Sequence, residues 1–86
     1  MAWRIEYSTV ALRFLSKIEK QLAKRLLKKL EDASGDPHRY FTRLVGQDDY
    51  KMRVGDYRIF ALLLDSEKKI YVETIGHRKN VYEKRF

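Results

Sequence analysis

Two strand-like runs, Tyr50 to Val54 and Tyr57 to Leu64, are separated only by Gly55 and Asp56. So short a connection commits the chain to an antiparallel hairpin, because parallel strands need a crossover of about a dozen residues or more. Glycine at the first turn position suits a type II′ turn, whose first residue takes a positive φ. The turn then sets the register. Val54 pairs with Tyr57, Arg53 with Arg58, Met52 with Ile59, Lys51 with Phe60 and Tyr50 with Ala61.

Alternation along the strands sorts these side chains into two faces. One carries Tyr50, Met52, Val54, Tyr57, Ile59, Ala61 and Leu63, joined by Ile70, Val72 and Thr74 from the next strand. That face is apolar and is expected to pack on helices. The other carries Lys51, Arg53 and Arg58 near the turn, with Phe60, Leu62, Leu64, Tyr71 and Ile75 further along. Arg53 opposite Arg58 is a like-charge pair, which costs stability by a few tenths of a kcal/mol or more. Cations held together on rigid strands against their own repulsion suggest a site for phosphate. The apolar remainder of this face calls for a cover, either the segment Val81-Tyr82-Phe86 or a partner protein.

Ahead of the hairpin the period is helical. Trp3 to Tyr7 reads as a short strand, and Ser8 or Thr9 caps the helix after it. Val10, Phe14, Ile18 and Leu22 recur at i, i+4, and Leu26, Leu27, Leu30 and Ala33 continue the stripe to Gly35 and Asp36-Pro37. One helix over 9–33 would be about 37 Å long, too long for so small a domain, so a helical hairpin is expected, broken near Glu19–Gln21. Tyr40 to Val45 reads as a strand, and Ile70 to His77 as the last one. The expected class is α+β: an N-terminal strand, a helical hairpin, then an antiparallel sheet packed on the helices, in the order β-α-α-β-β-β-β. Residues 1–86 are expected to form a single domain.

The chain carries 19 Lys and Arg against 12 Asp and Glu, a net charge of +7. Residues 1–42 hold nine basic and five acidic side chains and residues 43–86 ten and seven, so folding must assemble any cationic surface. Lys17, Lys20, Lys24, Arg25, Lys28 and Lys29 read as the solvated face of the helices. The absence of cysteine removes disulfides, thiol nucleophiles and cysteine zinc sites, and two histidines make a poor metal centre. No metal and no cofactor are expected. No apolar run is long enough to span a bilayer, and the N-terminus lacks an apolar signal block, so a cytoplasmic protein with an anionic partner is expected.

The run Tyr50-Lys51-Met52-Arg53-Val54-Gly55-Asp56-Tyr57-Arg58-Ile59, followed by Ile75-Gly76-His77-Arg78-Lys79 and Val81-Tyr82, resembles the C-terminal signature of the RelE/ParE toxin superfamily. Leu44, Gly46, the first strand and the helical pair also fit, so the resemblance covers nearly the whole chain. It implies the toxin of a toxin–antitoxin module: a RelE-like endoribonuclease (mRNA interferase) that cuts mRNA on the ribosome and inhibits translation. The alternative is a ParE-like gyrase inhibitor that cuts no RNA. Its implied partners are a cognate antitoxin, the ribosome and mRNA. Carried over by position, Lys51, Arg53, Arg58, Arg78 and Tyr82 become candidate catalytic residues, and Lys51, Arg53, Arg58, His77, Arg78 and Lys79 candidate RNA contacts. Phe60, Leu62 and Tyr71 become candidate antitoxin contacts. The sequence departs from the family pattern by a shortening between Arg78 and Tyr82. Strict alternation from Arg58 puts His77 on the open face, and a bulge at Gly76 would turn Arg78 inward.

Those residue types suit metal-independent cleavage, in which the ribose 2′-OH attacks the adjacent phosphate. Guanidinium forks match phosphate oxygens and stay protonated. Lys51 or Tyr82 is the expected base, because neighbouring cations disfavour ammonium and favour phenolate. Arg78 or Arg53 is expected to assist protonation of the leaving 5′-oxygen.

Overall fold

A computed structural model gives the fold and describes residues 2–77. The first strand, β1 (Arg4–Tyr7), runs through Ser8 directly into α1 (Thr9–Lys17). Ser8 has extended backbone, and its hydroxyl accepts the Ala11 amide at 3.0 Å, satisfying one of the donors left over at a helix start. The helical stripe then breaks at Ile18 and Glu19, at the edge of the expected position, and resumes as α2 (Lys20–Ala33). Ile18 is extended (φ −93°, ψ 167°), which folds the second helix back. An unbroken helix of about 37 Å would exceed the molecule's longest dimension of 31 Å.

The expected strand over Tyr40–Val45 is reduced to two residues. Asp36-Pro37 opens a one-turn helix instead, α3 (Pro37–Tyr40), because proline at the first helical position has its φ already set. Phe41 is extended and leads into β2, Thr42–Arg43, before Leu44 to Gln47 turn through Gly46 at φ +74°. The hairpin comes next as β3 (Tyr50–Val54) and β4 (Tyr57–Leu64), in the expected register. Gly55 has φ +60° and Asp56 does not share its sign, as a type II′ turn requires. Asp65–Glu67 form a 3₁₀ turn closed by Lys68 in the left-handed region, and β5 (Lys69–His77) completes a sheet of order β1-β5-β4-β3-β2. β1 joins β5 in parallel; every other pairing is antiparallel.

The helices cover one face. Ala11, Leu26, Leu30 and Ala33 meet Met52, Val54, Ile59, Ala61, Leu63, Ile70 and Val72 in the core. Val10 and Leu27, at the margins of the apolar stripe, stay exposed. No helix among the described residues is long and apolar enough to cross a membrane.

The β4–β5 register carries the main departure from expectation. Phe60 pairs with Thr74, but Ala61 pairs with Val72, so Glu73 is an extra residue on β5. This bulge reverses the alternation beyond it. Ile75, expected on the open face, is 3% exposed in the core, and Thr74 takes the open face in its place. The Ser8 hydroxyl that caps α1 donates to the Glu73 carbonyl, and the Ser8 amide donates to the Val72 carbonyl at 2.9 Å. One serine thus ties the strand–helix junction to the bulge. Burial raises the Glu73 carboxyl above the ordinary carboxylate range.

Candidate functional site

The face of the sheet away from the helices is ordered in rows by the register. Thr42, Lys51, Phe60 and Thr74 form one, and Arg53, Arg58 and Gly76 the next towards the turn. Three cations from two adjacent strands therefore surround Phe60 at the turn end. Their environments differ. Arg53 is exposed, Lys51 is half-buried, and Arg58, on the middle strand with Gly76 beside it, is only 7% exposed. Arg58 is thus a guanidinium set into the sheet and not on its surface. Arg53 makes no hydrogen bond or ion pair among the described residues, and neither does Asp56, the acid nearest to it in sequence.

Two of the sequence expectations fail here. Phe60, expected on an open patch, is fully buried, between Lys51 and Thr74 in its row. Leu62 and Tyr71 lie side by side and remain half-buried. His77, expected beside the arginines, is elsewhere. The bulge at Glu73, rather than at Gly76, pairs it with Tyr57 on the helix-side face, where the two rings meet edge to face at 5.5 Å. His77 is therefore not part of the cationic cluster. Arg78, Lys79 and Tyr82 lie outside the described residues, as do Val81 and Phe86.

The hairpin end holds one neighbour that helical periodicity could not reveal. Arg25 of α2 reaches the turn, and a Cβ at Gly55 would come within 3.3 Å of its Nη2. Sequence spacing marks Arg25 only as one of several exposed cations on α2; which of them meets the hairpin depends on how the helix crosses the sheet. Elsewhere, His38 pairs with Asp65 at 2.7 Å and sits edge-on between the rings of Trp3 and Tyr50. Among the described residues no three His, Asp or Glu side chains converge as metal ligands would.

This arrangement of strand, helical hairpin and sheet is shared with solved toxin structures. The RelBE2 toxin–antitoxin complex of Mycobacterium tuberculosis contains a chain matched with a TM-score of 0.81 at 21% identity, over 91% of this chain and 100% of that one. A mutant form of the E. coli toxin RelE in the free state matches with a TM-score of 0.78 at 24% identity, over 96% and 93%. The archaeal RelE–RelB complex of Pyrococcus horikoshii gives 0.73 at 21%, over 91% and 97%. These likenesses establish the fold. Comparison with curated protein sequences gave no match. The model of the family described as "ParE toxin of type II toxin-antitoxin system, parDE" matches residues 5–82, nearly the whole chain. With the RelE-like fold around it, that match makes the chain a member of the RelE/ParE superfamily and of its ParE toxin family.

Proposed function

We propose that the chain, as one domain over residues 1–86, is a toxin that cleaves mRNA on the ribosome in the cytoplasm and is neutralised by a cognate antitoxin. The observation that carries this reading is the gathering of Lys51, Arg53 and Arg58 on one rigid face, with Arg53 free of any carboxylate among the described residues. The RelE–RelB complexes among the similar structures support an antitoxin partner.

In the proposed reaction the ribose 2′-oxygen attacks the adjacent phosphorus and the bond to the 5′-oxygen breaks. The products are a 2′,3′-cyclic phosphate and a free 5′-hydroxyl. Lys51 or Tyr82 takes the 2′-OH proton, and Arg53 or Arg78 assists proton delivery to the leaving oxygen. Arg58, fixed by burial, faces the charge that builds on the phosphoryl oxygens; preorganised charge of this kind is commonly the largest single contribution to catalysis. General acid–base help adds about 10²–10⁴-fold. The ribosome supplies the in-line geometry.

The match to a ParE toxin family keeps a second reading in play, inhibition of DNA gyrase without RNA cleavage. Primer extension on mRNA from cells expressing the chain separates the two. Breaks at fixed codon positions support the nuclease; intact mRNA with double-strand DNA breaks supports the gyrase inhibitor and overturns the nuclease.

A further inference from the structure

The hairpin end carries a second cluster of positive charge, of which the reaction above uses only Arg53. A cleft of about 280 Å³ lies between α2 and the turn, lined by Arg25, Lys28, Lys29 and Asp32 from the helix and Arg53, Val54 and Gly55 from the hairpin. Arg25, Lys28 and Lys29 stand at i, i+3 and i+4 and so share one helix face. Four cations against one carboxylate leave the cleft with a net charge of +3. The carboxylate, Asp32, is engaged by Lys28 at 3.2 Å. Arg25 makes no hydrogen bond or ion pair among the described residues, and Gly55 gives its guanidinium room. Lys29 is steadied over the Tyr40 ring at 5.6 Å.

We infer that this cleft holds the phosphate backbone of an RNA strand, as an anchor beside the reacting face and joined to it through Arg53. The inference rests on the nuclease reading for its choice of ligand. Two observations favour a nucleic acid over an acidic peptide. The cleft offers no exposed apolar anchor of the kind that dominates protein interfaces, since its one apolar side chain, Val54, is 6% exposed. Arg53 also belongs to both surfaces, so a strand on the catalytic face passes the cleft mouth without a break in positive charge. Recognition by charge alone is how proteins hold phosphate backbones.

The test is salt dependence. The full chain is titrated against a 5′-labelled single-stranded RNA of mixed sequence between 50 and 200 mM salt, monitored by anisotropy. For single strands the slope of log K against log salt is about 0.7 per phosphate neutralised. Arg25→Ala with Lys29→Ala should flatten it by about 1.4 and weaken binding most at low salt, with an unchanged thermal melt. Should the double variant misfold, Arg25→Gln and Lys29→Gln singly should each flatten it by about 0.7. Wild-type slope and affinity in the variants would overturn the anchor, including the case where only antitoxin binding weakens. A wild-type chain that cuts no mRNA, whose variants still lose slope, would sink the nuclease reading and leave the anchor standing.

Discussion

The open face of the sheet treats its cations differently at its two ends. At the end away from the turn, Lys69 is held between Glu6 at 3.4 Å and Glu67 at 3.2 Å, with Arg4 next to it across the parallel pairing. At the turn end Arg53 faces Arg58, and Asp56 stands by without joining either. Both clusters lie on the same face of one sheet. At the far end the cation is paired with carboxylates, whereas Arg53 near Gly55 faces another cation and meets no carboxylate among the described residues. Like charges directly opposite each other on a sheet lower stability, and on the proposed reading that cost serves a surface for an anion.

The largest effect should come from removing the buried charge. Arg58→Met keeps the aliphatic stem that fills space on the middle strand and deletes the guanidinium. Loss of one preorganised donor typically costs about 10²–10³-fold in rate, so primer-extension breaks and growth arrest should fall by that order while the melting temperature moves by a few degrees at most. A variant that unfolds would mean Arg58 holds the sheet together, and the contrast between the two ends would lose its functional sense.

Next in size is the boundary between the ends, the bulge at Glu73. Ser8→Ala removes both the α1 cap and the hydroxyl that holds the Glu73 carbonyl. The cap alone is worth about 1 kcal/mol, which in a domain of this size lowers the melting temperature by roughly 4–8 °C. Amide exchange should quicken at Glu73 and Thr74 more than at Met52 and Ile59. Uniform quickening would show that the serine supports the helix and not the bulge.

That bulge also marks where the sequence stops being readable. The hairpin register came from a two-residue connection with a glycine, which allows one pairing. The helical break came from length, since 25 helical residues do not fit the molecule. Both are local arithmetic. The bulge depends instead on a hydrogen bond from Ser8 to a residue 65 positions away, and no pattern in 70–77 announces it. Period-two alternation therefore misplaced Thr74, Ile75 and His77, all downstream of Glu73, while the strand residues upstream of it kept their faces. Phe60 kept its face, and what failed was its depth: alternation assigns a side and says nothing about how deeply a side chain is covered. For the cations, type and face were legible, but depth was not. Arg53 and Arg58 look equivalent in sequence, yet one is exposed and the other buried.

A smaller change makes the turn end resemble the far end. Arg53→Glu places a carboxylate opposite Arg58, replacing repulsion by a cross-strand ion pair. Such pairs contribute about 0.2–1 kcal/mol, so the melting temperature should rise by a few degrees while RNA cleavage is lost. A stabilised and inactive variant is the outcome that separates the needs of the fold from those of the site. If the variant is stabilised and still cuts RNA, Arg53 is not part of the reacting group.

The smallest effect tests the neutralised end. The hydrogen bond that Lys69 donates to Glu67, together with the pull of Glu6, holds the Lys69 ammonium above its ordinary pKa of 10.5, against an opposing effect of burial. Its folded value is thus higher than its unfolded one. The stabilisation is complete below about pH 10.5 and is lost as pH rises through the raised folded value. Lys69→Met should lower the urea midpoint at pH 8, and its deficit against the wild type should shrink by pH 11. Other lysines titrate in both proteins and cancel in that difference. A deficit that stays constant with pH would mean that the carboxylates around Lys69 add only packing. The two ends of the face would then differ in geometry without differing in electrostatic energy.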